Sequence, residues 1–149
     1  MRRYLVVASQ TLGGEHLLEE IRGCLAVGTA YFHVVVPATP PREHMFWTEG
    51  AALAVARERL ARAISCLQAE GIPVSGEVGD ANPVLAVEEA IRHRAPFDVI
   101  ILSTLPAGVS RWIRLDVPHR VARRTGLPVR HIVAESDDVP GRVRAQAPG

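Results

Sequence analysis

The residues best suited to chemistry in this chain lie in two short loops. The first is Ser9-Gln10-Thr11-Leu12-Gly13-Gly14, which joins an apolar run to a helical pattern. Two hydroxyls and a glycine pair just ahead of a helix suit an anion, because the first amides of a helix lack intrahelical partners and carry the positive end of its dipole. The same residues equally suit a plain tight turn in which Thr11 caps the helix. The second loop is Ser103-Thr104-Leu105-Pro106-Ala107-Gly108-Val109-Ser110-Arg111, with Arg114 close behind. Here Ser103, Thr104 and Ser110 supply hydroxyls, and Arg111 a guanidinium that can hold phosphate or carboxylate through two parallel bonds. Arg111 and Arg114 also fit a solvated surface.

Elsewhere the chemistry is sparse. The histidines are scattered at 16, 33, 44, 93, 119 and 131. His33 and His131 fall in apolar runs, where a structural role is the expectation. Glu43-His44 is a candidate acid–base pair in a long connection. Cys24 and Cys66 sit in helical patterns without metal-type spacing and read as small buried or half-buried hydrophobes rather than a disulfide. The chain lacks a Gly-x-Ser-x-Gly elbow, a Gly-x-Gly-x-x-Gly fingerprint, a phosphate-binding Walker loop and a His-Glu-x-x-His helix. Every basic residue other than histidine is Arg, which excludes lysine Schiff-base chemistry. No enzyme is assigned on these grounds. A phosphate-handling activity would have to use Arg111.

The elements that position the loops follow from periodicity. Short apolar runs over 4–8, 31–36, 73–78, 97–102 and 129–134 alternate with helical patterns. The first, second and fourth runs are nearly continuous and β-branched, as in strands buried on both faces of a parallel sheet. The helical patterns run over about 15–25, 50–70, from Asn82-Pro83 onward, and 118–125. Gly71 and Gly126 stand at two of the helix ends, and Asn82 caps the third helix ahead of a proline at its first position. This alternation predicts one doubly wound α/β domain of five parallel strands, with helices on both faces, over residues 1–134. Ligands of such sheets bind beyond the carboxyl ends of the strands, where the two loops fall. Residues 135–149 read as a mobile polar tail. The connection 38–49, with Met45-Phe46-Trp47, reads as a lid or a docking segment.

Composition sets outer limits. With 149 residues the chain can bury a real core, and 17 basic against 16 acidic residues give a net charge of +1. That balance provides no whole-molecule pull toward nucleic acid or an anionic membrane. Six arginines against Asp116 between 111 and 130 make a local basic stretch, but no aromatic platform accompanies it. No segment approaches the roughly 20 apolar residues of a membrane span, so a cytoplasmic location is expected.

Three stretches carry a family resemblance. Phe32-His33-Val34-Val35-Val36-Pro37, Val78-Gly79-Asp80-Ala81-Asn82-Pro83, and Ser103 through Val133 in register resemble the second strand, the third-helix turn, and the fourth loop, fourth helix and fifth strand of the universal stress protein family. The resemblance spans about residues 3–134. It implies strand order 3-2-1-4-5, a homodimer formed through the last strand (Arg130 to Ala134), and ATP or AMP as the ligand to consider. ATP-binding members carry a spaced glycine signature, so that backbone amides approach the phosphates. Here its positions hold Ser103, Pro106, Asp116 and Val117, and the family's adenine-contacting aspartate falls at Ser9. The resemblance therefore implies a degenerate nucleotide site with no required cofactor and a regulatory or interaction role in stress response. The alternative is a rebuilt pocket for an anionic ligand. The candidate ligand-binding set is Ser9, Thr11, Gly13, Gly14, Val36, Gly79, Ser103, Thr104, Gly108, Ser110 and Arg111.

Overall fold

The computed structural model describes residues 1–39, 48–94 and 96–134. The candidate pair Glu43-His44, the Met45-Phe46-Trp47 segment and the tail 135–149 lie outside them. In chain order the elements are β1 (Arg2–Val7), α1 (Glu15–Val27), β2 (Ala30–Pro37), α2 (Glu49–Ala69), β3 (Val74–Gly79), α3 (Pro83–Arg94), β4 (Val99–Thr104), α4 (Arg111–Arg114), α5 (Val117–Thr125) and β5 (Val129–Val133).

The five strands form one sheet in the order β3-β2-β1-β4-β5, and every pairing is parallel. Side chains alternate across it with period two, and each face meets its own helices. On one face Tyr4, Val6, Phe32, Val34, Val36 and Ile101 pack against Leu17, Ile21 and Cys24 of α1 and Ala56 and Leu67 of α2. On the other, Leu5, Val7, Val35, Ile100 and Leu102 meet Val84, Val87 and Ala90 of α3, Trp112 of α4, and Val117 and Val121 of α5. Strands clad on both sides in this way must be apolar at every position, which is why three runs showed no alternation. Each such side chain contributes roughly 1.5–3 kcal/mol by leaving water.

Local signals account for the ends. Gly71 and Gly126 hold φ of +74° and +70°, the left-handed geometry that releases a helix into the next strand. Thr48 caps α2 by accepting from the Ala51 amide, and Asn82 accepts from Val84 N at the start of α3. Arg3 ties the lower rim together: its amide donates to Asp98 and its guanidinium to the carbonyls of Pro96 and Arg94.

Three sequence expectations need correction. The fourth strand begins at Val99 and runs on through Ser103 and Thr104, which pair with Ile132 and Val133 and so belong to the sheet rather than to the loop. Their hydroxyls masked the strand, whose partners become visible only once β5 is docked. A single helical turn, α4, interrupts the loop after β4, and Trp112 anchors it in the core. Cys24 is buried as expected, but Cys66 is exposed, because it lies on the outer face of α2. Both thiols are free.

Candidate functional site

The strand order reverses between β1 and β4, each of which feeds a crossover on the opposite face. Thr11 and Ser103 meet across this gap, with Oγ to Oγ at 2.7 Å and both side chains about 2% exposed. One hydroxyl donates to the other, in a setting where an unpaired one would be costly. The expected cap of α1 by Thr11 does not form. Gly14 is the N-cap residue, and the Thr11 carbonyl instead accepts from the amides of Gly13 and Gly14. Thr11 is thus committed to closing the turn and bridging to β4.

The remaining candidates divide by position. Ser9 lies just beyond β1, where Arg59 of α2 donates toward its Oγ at 3.4 Å. Thr104 Oγ1 pairs with His131 Nε2 at 2.7 Å and links β4 to β5. Ser110 is buried and caps α4 by accepting from the Ile113 amide. Gly108 is exposed in the turn whose Pro106 carbonyl accepts from Val109 and Ser110. Arg111 is exposed at the start of α4. Val36 is fully buried in the core. At Gly79 a Cβ would sit 2.7 Å from Ala86 Cβ and 3.1 Å from Val35 Cγ1, so the glycine lets α3 approach the sheet. A Cβ at Gly13 or Gly108 would meet nothing within 4 Å.

Asp116 precedes α5 with φ +56°, the one left-handed non-glycine among the described residues. The position keeps the backbone geometry that favours glycine while carrying a carboxylate, paired with His119 Nδ1 at 2.9 Å. Asp116→Gly is expected to raise stability by up to about 1 kcal/mol, because glycine enters this region without the Cβ penalty. The pair it forfeits is exposed and contributes little. A urea midpoint at or below that of the parent chain would show instead that the His119 contact outweighs the backbone strain.

Two groups escaped sequence reasoning. One is Arg59, which no motif marks in the sequence and which is half-buried here against the end of β1. Burial pushes its guanidinium below the ordinary arginine range, with Glu58 opposing the shift. The other is a polar relay on β2 and β3. Tyr31 donates to Ser75 Oγ, Ser75 lies 2.6 Å from His33 Nδ1, and His33 Nε2 lies 2.7 Å from Glu77 Oε2. With Tyr31 donating, the Ser75 proton is directed to Nδ1, and a neutral imidazole carries its own hydrogen toward the carboxylate. The period-two spacing of Ser75 and Glu77 held the signal, but it becomes legible only with the register His33↔Ser75.

His33 is about 1% exposed, and burial lowers its pKa below the usual histidine value; Glu77 opposes the shift, while Arg94 and Arg3 reinforce it. A proton that the unfolded imidazole accepts below about pH 6.5 is resisted by the folded one. The stability this group contributes is therefore complete above that pH and is lost as the pH falls through the window beneath it. The urea midpoint is expected to fall between about pH 7.5 and 5.5. A flat midpoint would show that Glu77 fully compensates the burial.

Among the described residues no cluster of three or more His, Cys, Asp or Glu is arranged to hold a metal ion, and no helix is long and apolar enough to cross a membrane.

Comparison with solved structures fixes the architecture. A universal stress protein family protein from Arabidopsis thaliana, with AMP bound, superposes at a TM-score of 0.61 over 95% of this chain and 97% of that one, at 9% identity. A protein of the same family from Burkholderia pseudomallei gives 0.52 over 87% and 94%, at 16% identity. The chain has the universal stress protein fold. The strand order expected from the resemblance and the helices on both faces expected from the alternation are both present. No protein-family model matches the sequence, and no curated protein matches it. The universal stress protein fold is thus reached here at 9% and 16% sequence identity to these two structures.

Proposed function

We propose that this protein is a universal-stress-protein-like regulatory or interaction protein, homodimeric through β5, whose strand-end site no longer requires a nucleotide. The observation that carries this reading is the Thr11–Ser103 bond. The Thr11 and Ser103 hydroxyls, at the ends of the two strands that flank the switch, are bound to each other. The positions of the family's glycine signature support it. Pro106 has no N–H to offer. Asp116 places a carboxylate beside α5, where it would oppose a phosphate by on the order of 1–4 kcal/mol. Val117 is 1% exposed and packed in the core. Residues of this kind do not fit a triphosphate.

The dimer is supported by the edge of the sheet. β5 pairs with β4 alone among the described strands, and Val133 on it is 41% exposed. An edge that no described strand pairs favours pairing with a second strand. The basic stretch on α4 and α5 supports no nucleic-acid role in this reading, since Arg111, Arg114, Arg123 and Arg124 are exposed and the one aromatic among them, Trp112, is buried.

Native mass spectrometry followed by calorimetry with ATP, ADP and AMP tests the proposal. A dimer mass without adduct and no binding heat at about 100 μM nucleotide, roughly −5.5 kcal/mol, is the expected result. A nucleotide adduct, or a tighter dissociation constant, would overturn it. A second reading, an anionic small ligand at the same strand ends, rests on Arg59: a half-buried cation is directed there at a neutral hydroxyl.

A further inference from the structure

We infer that Arg59 and Ser9 form the recognition point of an oxyanion subsite at the carboxyl end of β1, taking a small phosphate or carboxylate group rather than a nucleoside. The inference rests on the anionic-ligand reading above and supplies the residue and the ligand class that reading lacks.

The argument begins with charge and burial. Four described arginines meet carboxylates with well-exposed side chains: Arg62 with Glu58, Arg22 with Glu70, Arg124 with Glu88 and Arg130 with Glu20. Arg59 breaks this pattern. It lies one turn from Arg62 on α2, yet its guanidinium is turned inward, half-buried, over the end of β1. The group it reaches is the Ser9 hydroxyl, at 3.4 Å, which is neutral and distant for a charge-assisted bond. No carboxylate among the described residues lies within ion-pair distance of it. The carboxylate that acts on it, Glu58, is held by Arg62, so this guanidinium leaves water without an ion pair of its own among the described residues, and such groups concentrate where a ligand supplies the missing charge. The depression of its pKa by burial agrees with this placement.

Geometry selects the ligand. A guanidinium presents a planar fork that matches two oxygens of a phosphate or carboxylate, and the Ser9 hydroxyl can donate to the same group. An adenine edge offers a ring-nitrogen acceptor beside an amino donor, so it matches the two parallel donors of the fork less well than two oxygens do. The nearby hydroxyls of Thr11 and Ser103 are already paired, so recognition falls on Arg59 and Ser9.

The test is NMR titration of the full chain, in oxyanion-free buffer, with inorganic phosphate and separately with malonate. The amides of Ser9 and Gln10 are expected to shift and saturate. Arg59→Gln should weaken the apparent affinity by about tenfold or more, the scale of one charged hydrogen bond. Arg59→Lys, which keeps the charge and loses the fork, should fall between. Arg62→Gln removes the same charge from the exposed face and should change nothing. Saturable binding that survives Arg59→Gln would overturn the assignment of Arg59 while leaving the strand-end site standing. Equal loss in Arg59→Gln and Arg62→Gln would reduce the effect to net charge and also overturn it. No saturable shift with either anion would overturn both this inference and the reading beneath it. Thermal melts of each variant show whether it is folded.

Discussion

Thr11→Val is expected to destabilise the protein by about 1–3 kcal/mol, although the two side chains are nearly the same shape. The reason is the partner left behind. Ser103 is about 2% exposed, and its hydroxyl bonds to Thr11 at 2.7 Å. Valine fills the space and offers neither a donor nor an acceptor, so a buried hydroxyl loses its bond without regaining water. Ser103→Ala should give a similar loss, by stranding Thr11. The double variant should lose much less than the sum, because removing both partners leaves nothing unsatisfied. Urea midpoints of the four proteins measure the coupling directly. Additive losses would show that water or another group reaches these hydroxyls. In that case the pair is available to a ligand, and the case for a closed site fails.

The second large effect concerns Gly79. Gly79→Ala is expected to lower stability by about 1–3 kcal/mol through overpacking. The new methyl would stand 2.7 Å from Ala86 Cβ, closer than real Cβ atoms approach, with Val35 Cγ1 at 3.1 Å behind it. Neither neighbour is the tip of a flexible side chain. Ala86 belongs to α3, and its Cα is itself 3.4 Å away, so relief requires the helix to move off β3. The Ala38 amide donates to the Gly79 carbonyl at the same point, so the strain would reach the end of β2 as well. Chemical denaturation measures the loss, and its accompaniment by a change at the Val84 and Val87 methyl resonances would place the strain in α3. An unchanged midpoint would mean that α3 yields freely. The glycine would then owe its place to something other than helix packing, the approach of a ligand among the options.

These two residues also show how a sequence-level candidate acquires a different meaning once it is placed. Thr11 and Ser103 are separated by 92 positions and stood in different loops, each reading as an anion-binding hydroxyl. Gly79 read as part of a ligand turn. What decides between binding and bracing is whether the partner atom lies in the protein, and that is a property of tertiary distance.

Much was already legible from the residue order. The continuous β-branched runs at 4–8 and 31–36 specify strands covered on both faces. Gly71, Gly126 and the Asn82-Pro83 cap mark helix ends through local backbone preference, which acts within a few residues and needs no partner. Alternation of the two periods then dictates a parallel sheet, because parallel strands require crossovers of this length. The fold class was therefore written in short-range physics. The site was not. That Asp116 occupies a left-handed backbone, that Arg59 turns inward while Arg62 turns out, and that His33 is held between Ser75 and Glu77 all depend on which elements lie alongside one another. Charge and hydroxyl chemistry gain direction only from burial and from partners far along the chain. Sequence periodicity reports which face of an element is dry, but not what stands opposite it.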